Sequence, residues 1–276
     1  MLMTSKITKW RTGSLKGLVL AAACGLLGGS LTGCIKENRT DCPNYLYLSF
    51  PNRELVGDNL VRIAGYEPAQ MFSENIYLRD YPDMWYRAVP KGTFYATAYT
   101  GTGFADETAR YITIPIGHQC DSLYAWYKEV DCTGEETYED VVFHKQFATV
   151  FFDIRTVRTP ASRFSLLVTG FTHGFDVVGF APLDGSFRYE TVASAGEHVV
   201  PFRIPRQKDG SLYVNITMDG SGEMKFPLGR YIIDSGYNWE QEDLEDIYFS
   251  VDLVASTATI RVAGWEHGVT YRIIEQ

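Results

Sequence analysis

The chain has 276 residues, with 25 Lys and Arg against 34 Asp and Glu, a net charge of −9, and an aromatic content of 14% that is mostly Tyr and Phe. This balance excludes nucleic acid as a partner, because phosphates must be neutralised by basic patches. It also excludes electrostatic docking on anionic lipid. Abundant Tyr and Phe suit strands with one buried and one wetted face.

Residues 1–16 carry Lys6, Lys9, Arg11 and Lys16 and no acid, and residues 17–29, GLVLAAACGLLGG, are apolar and small. Leu31-Thr32-Gly33-Cys34 follows. A basic n-region, an apolar h-region of about 7–15 residues and a small residue at the cut describe a secretory signal. The stretch is shorter than the roughly 20 apolar residues of a permanent span. Leu31 at −3, small residues at −2 and −1 and Cys at +1 resemble the lipobox. The expectation is a lipoprotein signal peptide over 1–33, acylation of Cys34 and a lipidated polar tether over 34–43. Each lipid CH₂ buried in a membrane stabilises attachment by about 0.8 kcal/mol. Ile35 stands where an Asp resembles an inner-membrane retention signal in enterobacterial lipoproteins, which leans towards the outer membrane. Without the leader, 21 basic residues remain against 34 acidic ones, a charge of −13.

Beyond Cys34 the cysteines are Cys42, Cys120 and Cys132. An oxidising compartment permits one disulfide and one leftover thiol. All three pairings stay open; a bond from Cys42 is favoured because it would tie the first strand to the domain body. No C-x-x-C pair and no His at ligand spacing from a cysteine argues for zinc.

From residue 45 the pattern reads as strands: 45–50, 60–66, 85–89, a Pro90-Lys91-Gly92 turn, 93–99, 111–116, 122–127 and 141–143. A second series begins near 147. Residues 148–154, with Val150, Phe152 and Ile154 alternating, form the clearest strand, followed by 163–170 and 175–179. Residues 199–204 and 212–218 flank Asp209-Gly210 and read as a hairpin. Then come 223–227, 246–253, 258–263 and 269–274. One helix is expected over 238–245, with Asn238 as N-cap and acids in its first turn, and a weaker one over 68–73. Strands at short spacing with Gly and Pro turns argue for an all-β fold of two β-sandwiches with one or two short helices. The expected domains are 44–146 and 147–276.

No catalytic motif is present: G-x-S-x-G and H-E-x-x-H are absent, and Gly101-Thr102-Gly103 reads as a turn with no βαβ unit around it. His118, His144, His173, His198 and His267 are scattered, and the acidic run 240–246 reads as a solvated face. Trp126 and Trp265 sit in strand patterns and read as core; exposed coplanar Trp rings would instead make a sugar platform. Neither an enzyme, a cofactor nor a metal site is expected.

Several ordered patches resemble the fimbrial-anchor lipoproteins of Bacteroidales, the FimB/Mfa2 family of type V pili. They are Cys34 with its spacer and Asp41-Cys42-Pro43; residues 121–126 followed by 144–150; and Tyr237-Asn238-Trp239, residues 243–247, 258–262, Trp265 and Gly268. The resemblance implies transthyretin-like sandwiches, outer-membrane attachment through the lipid with surface exposure, and fimbrial stalk subunits as partners joined by strand exchange. In such exchange backbone hydrogen bonds supply binding and alternate side-chain pockets supply specificity. Within that scheme the first strand stays in place, and the C-terminal strand, with Val269, Tyr271 and Ile273, makes the pilus contact. The alternative is a surface glycan-binding lipoprotein of a polysaccharide-uptake system.

Overall fold

A computed structural model describes residues 42–101, 103, 110–155, 163–194, 199–218, 222–262 and 268–272. The strands of the first half are β1 (Asn44–Ser49), β2 (Leu60–Glu67), β3 (Ala69–Tyr77), β4 (Trp85–Val89), β5 (Thr93–Tyr99), β6 (Tyr111–Thr113), β7 (Tyr124–Asp131), β8 (Glu136–Asp140) and β9 (His144–Lys145). Those of the second half are β10 (Phe147–Arg155), β11 (Arg163–Asp176), β12 (Ala181–Ser194), β13 (Val200–Pro205), β14 (Tyr213–Met218) and β15 (Glu223–Phe226). A helix α1 (Leu228–Asp234) precedes β16 (Ile247–Asp252), β17 (Thr257–Val262) and β18 (Val269–Arg272).

The strands make an all-β pair of sandwiches. In the first, sheet I (β4-β1-β8) faces sheet II (β3-β2-β5-β7-β9). In the second, sheet III (β13-β10-β16-β17-β18) faces sheet IV (β12-β11-β14-β15). Alternation drives the layering: Leu46 and Leu48 of β1 and Ile247, Phe249 and Val251 of β16 are all fully buried, while Tyr45 and Tyr248 face out. Phe72 of sheet II meets Trp85 of sheet I at 6.4 Å, and Phe152 and Phe249 of sheet III meet Phe164 and Phe226 of sheet IV at 6.0 Å each. Fully burying each such side chain stabilises the fold by about 1.5–3 kcal/mol.

The two sandwiches belong to one unit, residues 42–276, and one core cluster runs through both. Tyr66, Tyr99, Cys120 and Leu123 pack in the same cluster as Val150, Phe187 and Phe249. Strand 111–113, expected within the first sandwich, instead pairs with β11 at Phe175↔Ile112, alongside the stretch where β14 has ended. Gly174 makes this approach feasible, because a Cβ there would collide with the Ile112 carbonyl. Arg110 braces the join with two 2.7 Å bonds to the Asp176 carboxylate.

Several sequence expectations need correction. Residues 238–245 are not helical. The Asn238 side chain accepts from Glu240 N at 2.9 Å, making a local turn in place of a cap, and like charges crowd the run. The helix lies one element earlier, at α1, where Gly229, Ile232 and Ile233 give little intrinsic propensity. Contact places it: Gly229 N donates to Leu212 O at 2.8 Å, and a Cβ on Gly229 would lie 2.7 Å from Gly210. Residues 69–77 are strand, not helix, because Pro68 sits between the paired Glu67 and Ala69 at the tip of a hairpin. Residues 163–170 and the start of 175–179 merge into β11, which ends at Asp176 and leaves 177–179 in a turn, with register shifts between Gly170 and Gly174.

The expected hairpin over 199–218 does not form. β13 pairs with β10 and β14 with β11 and β15, so residues 206–212 cross between sheets. Asp209 serves that crossing by accepting from Ser211 N at 2.9 Å. Residues 141–143 are not a strand either; they carry the chain from β8 in sheet I to β9 in sheet II. Asn52 holds this crossing, its side chain bonding Phe143 O at 2.9 Å and Phe143 N at 3.0 Å.

Candidate functional site

No group of three or more His, Cys, Asp or Glu side chains placed to hold a metal occurs among the described residues. His144 Nδ1 lies 3.1 Å from Asp243, and His173 Nδ1 lies 3.4 Å from Leu183 O. His198 and His267 lie outside the described residues. Trp85 and Trp126 are core, and Trp239 is half-buried against Tyr237 at 4.6 Å. Trp265 lies outside the described residues.

The densest polar geometry sits where the chain passes from one sandwich to the other. Arg206 follows β13 and points its guanidinium at the loop 238–246. It donates to the carbonyls of Trp239, Gln241 (2.9 Å) and Glu242 (3.3 Å), and to Gln146 Oε1. A planar fork of five donors suits several acceptors at once. Burial pulls the Arg206 pKa down, opposed by Tyr237 and Asp243. The loop's acids grip the connecting segment in turn. Asp243 accepts from Lys145 N at 2.7 Å, and Asp246 accepts from Lys145 Nζ at 2.6 Å and Thr149 N at 2.9 Å. Two patches distant in sequence, 144–150 and 237–247, therefore form one clamp. The acidic run, expected to be a solvated face, instead supplies two of the grips through Asp243 and Asp246; Arg206 carried no signal, since its partners are mostly backbone carbonyls.

Beside the clamp lies a cleft of about 540 Å³, lined by Trp126, Tyr127, Val142, His144, Phe180, Pro182, Arg206 and residues 240–242. Phe180, held at φ 47°, places its ring 5.8 Å from Tyr99 and 6.3 Å from Tyr127. A bulky residue at positive φ is a local strain that the surrounding packing must outweigh.

The other candidate surfaces are sheet edges and one outer face. β18 is an edge of sheet III, pairing with β17 from Ile260↔Val269 to Thr257↔Arg272. Val269 and Tyr271 lie on it. Tyr271 stacks on Tyr231 of α1 at 4.0 Å and 18°. Ile273 lies outside the described residues, as does Cys34. Cys42 is exposed, whereas Cys120 and Cys132 are buried in different core clusters, and all three thiols are free. Burial pushes the Cys120 and Cys132 thiols up. On the outer face of sheet I, Tyr47 stacks on Tyr138 at 4.6 Å and 8° and on Tyr86 at 5.7 Å and 28°. Tyr86 and Tyr138 are 62% and 58% exposed.

No protein-family model matches the sequence, and no curated protein matches it either. Solved structures do match in shape. The chain shares the fold of a fimbrial anchor. The fimbrial anchor protein Mfa2 from Porphyromonas gingivalis is 12% identical with a TM-score of 0.53, over 81% of this chain and 98% of that one. A candidate adhesin from Bacteroides thetaiotaomicron is 13% identical with a TM-score of 0.56, over 84% and 99%. A candidate polysaccharide-binding protein of the same organism is 15% identical with a TM-score of 0.56, over 84% and 99%. At these identities the likeness is one of fold.

Proposed function

We propose that this chain is a non-enzymatic lipoprotein, held at the outer membrane by acyl chains on Cys34, that anchors a fimbria by strand pairing with its subunits. The observation that carries the reading is the fold shared with the fimbrial anchor over nearly that protein's whole length. The geometry is consistent: two sandwiches joined by a polar clamp offer a stiff body, and open sheet edges such as β18 offer backbone groups to a partner strand. β1, which follows the expected tether, lies in the middle of sheet I between β4 and β8. A pull on the tether therefore loads two ladders at once. The C-terminal strand, with Val269, Tyr271 and Ile273, is the segment proposed to meet the fimbrial stalk.

The test is metabolic labelling with an alkyne palmitate analogue in cells carrying the wild-type chain or Cys34→Ser, with fimbriae counted on cells and in medium. Labelled wild type with attached fimbriae, and unlabelled C34S with fimbriae shed, is the expected result. Unlabelled wild type, or attached fimbriae in C34S cells, overturns the reading.

A second reading, a surface glycan binder, is favoured by the exposed tyrosine row of sheet I and by the fold shared with the candidate polysaccharide-binding protein. Glycan-array binding that is lost in Tyr86→Ala/Tyr138→Ala would support it.

A further inference from the structure

The β7–β9 ladder stops abruptly. Tyr124↔Lys145 and Ala125↔His144 are its pairs, and Gln146 N donates to Leu123 O at 2.9 Å. Antiparallel pairs alternate between bonded and non-bonded, so odd-numbered residues of β7 aim their backbone N–H and C=O at the β9 side. The next bonded pair would join Tyr127 to Val142. It does not form, because Asn52 draws Phe143 towards sheet I and Val141 N donates to Ser49 O at 2.8 Å. The backbone groups of Tyr127 and Glu129 thus have no ladder partner on that side. The 540 Å³ cleft occupies the track that a longer β9 would fill, with Tyr127 and Val142 both on its wall.

The side chains around that track narrow the occupant. Val142 and Tyr127 are 39% and 49% exposed, next to the buried ring of Phe180, so apolar surface is on offer. The available charge is acidic. Glu129 and Glu240 are exposed and Glu242 is 83% exposed. The nearby cations are engaged: Lys128 with Glu139 at 2.6 Å, and Arg206 within the clamp. Backbone donors and acceptors repeating every second residue fit an extended polypeptide and no compact ligand.

We propose that this cleft is a strand-acceptor site. An extended segment of a fimbrial subunit continues sheet II along β7 at Tyr127 and Glu129, seats an apolar side chain against Val142 and Phe180, and sets a basic one towards Glu240 and Glu242. The proposal rests on the fimbrial reading above and adds a contact at β7 to the one proposed at β18.

The experiment uses full-length lipoprotein in fimbriated cells, with the photocrosslinker p-benzoylphenylalanine at Tyr127, Tyr271 or Tyr86 and mass spectrometry of the adducts. A fimbrial subunit joined to position 127 through one extended segment is expected, with on the order of tenfold more adduct than from position 86. Glu240→Lys/Glu242→Lys should cut that adduct by about tenfold, and so should Glu129→Pro, which removes an edge N–H and one exposed carboxylate, against a Glu129→Gln control that keeps the N–H; these variants should keep the wild-type melting temperature. Adducts with the fimbrial subunit at 271 but none at 127 sink the acceptor site and spare the fimbrial reading. Adducts with it at none of the three positions sink both.

Discussion

Arg206 and Gln146 face one another at the passage between the sandwiches, with Nε and Nη2 of the arginine donating to the glutamine Oε1 at 3.1 and 2.9 Å. The same guanidinium holds three carbonyls of the loop 238–246, and that loop holds the segment 144–149. The junction is thus a closed circuit of hydrogen bonds. Breaking any member leaves partly buried acceptors unmatched.

Arg206→Ala should therefore lower stability by about 2–3 kcal/mol, or about 4–12 °C for a unit of this size. Arg206→Lys should recover less than half, because a single ammonium cannot span acceptors on both sides. Urea denaturation of the three proteins checks this; equal stability of wild type and R206A would remove the clamp from the account.

Gly174→Val should disturb the β6–β11 join before the rest of the fold. The added side chain meets the Ile112 carbonyl, an overpacking that costs about 1–3 kcal/mol. Hydrogen exchange should rise at residues 111–114 while the amides of β16 stay protected. Uniform change, or none, would contradict the placement of β6.

Of the three cysteines among the described residues, only one should react under native conditions. Cys42 is exposed, while Cys120 and Cys132 are buried with their pKa values raised by desolvation. Iodoacetamide at pH 8 should label Cys42 alone, and all three after unfolding in guanidinium. Native labelling of Cys120 would mean that the shared core opens.

Stability should fall in alkali. Burial raises the folded-state pKa of Cys120, Cys132, Tyr66 and Tyr99 above their ordinary values of 9.0 and 10.0. Below those ordinary values both states keep the proton and the groups add no pH dependence. Above them the unfolded chain loses protons that the folded one retains, so unfolding becomes easier as pH rises. Melting temperature should be level from pH 7 to about 8.5 and decline from about 9 to 11. A flat profile to pH 11 would contradict the burial of these groups.

Removing residues 269–276 should release fimbriae from cells if the C-terminal strand carries the contact, and Tyr271→Ala should weaken β18 by about 1 kcal/mol through loss of the stacking on Tyr231. Counting cell-bound and shed fimbriae by electron microscopy decides between them. Undiminished attachment in the truncated strain counts against β18 and leaves the β7 cleft as the contact.

Strands with a strict period of two were legible beforehand. Residues 85–89 and 93–99 coincide with β4 and β5, and β10 and β16 extend or trim their expected ranges by one or two residues. In β16 the buried Ile247, Phe249 and Val251 alternate with Tyr248, Ser250 and Asp252, so local pattern and burial agree, whereas β5 breaks the alternation with Ala96, Thr97, Ala98 and Tyr99 all buried. Expectations failed where the deciding partner was remote. The loop 238–246 has helical composition, yet Arg206, over thirty residues away, claims the carbonyls that a helix would use internally. Asp209-Gly210 has a hairpin's dipeptide, yet its flanking strands find better partners in opposite sheets.

The amino-acid order alone therefore determined the all-β class, the inward-facing Val150, Phe152 and Ile154 of β10 and the absence of familiar catalytic motifs, because these depend on neighbours one or two positions apart. The tertiary structure alone decided where β6 docks, which carbonyls Arg206 takes and why β9 stops after two residues. Those outcomes turn on groups far apart in sequence competing for the same hydrogen bonds, and Asn52 drawing Phe143 away from β7 is the plainest case.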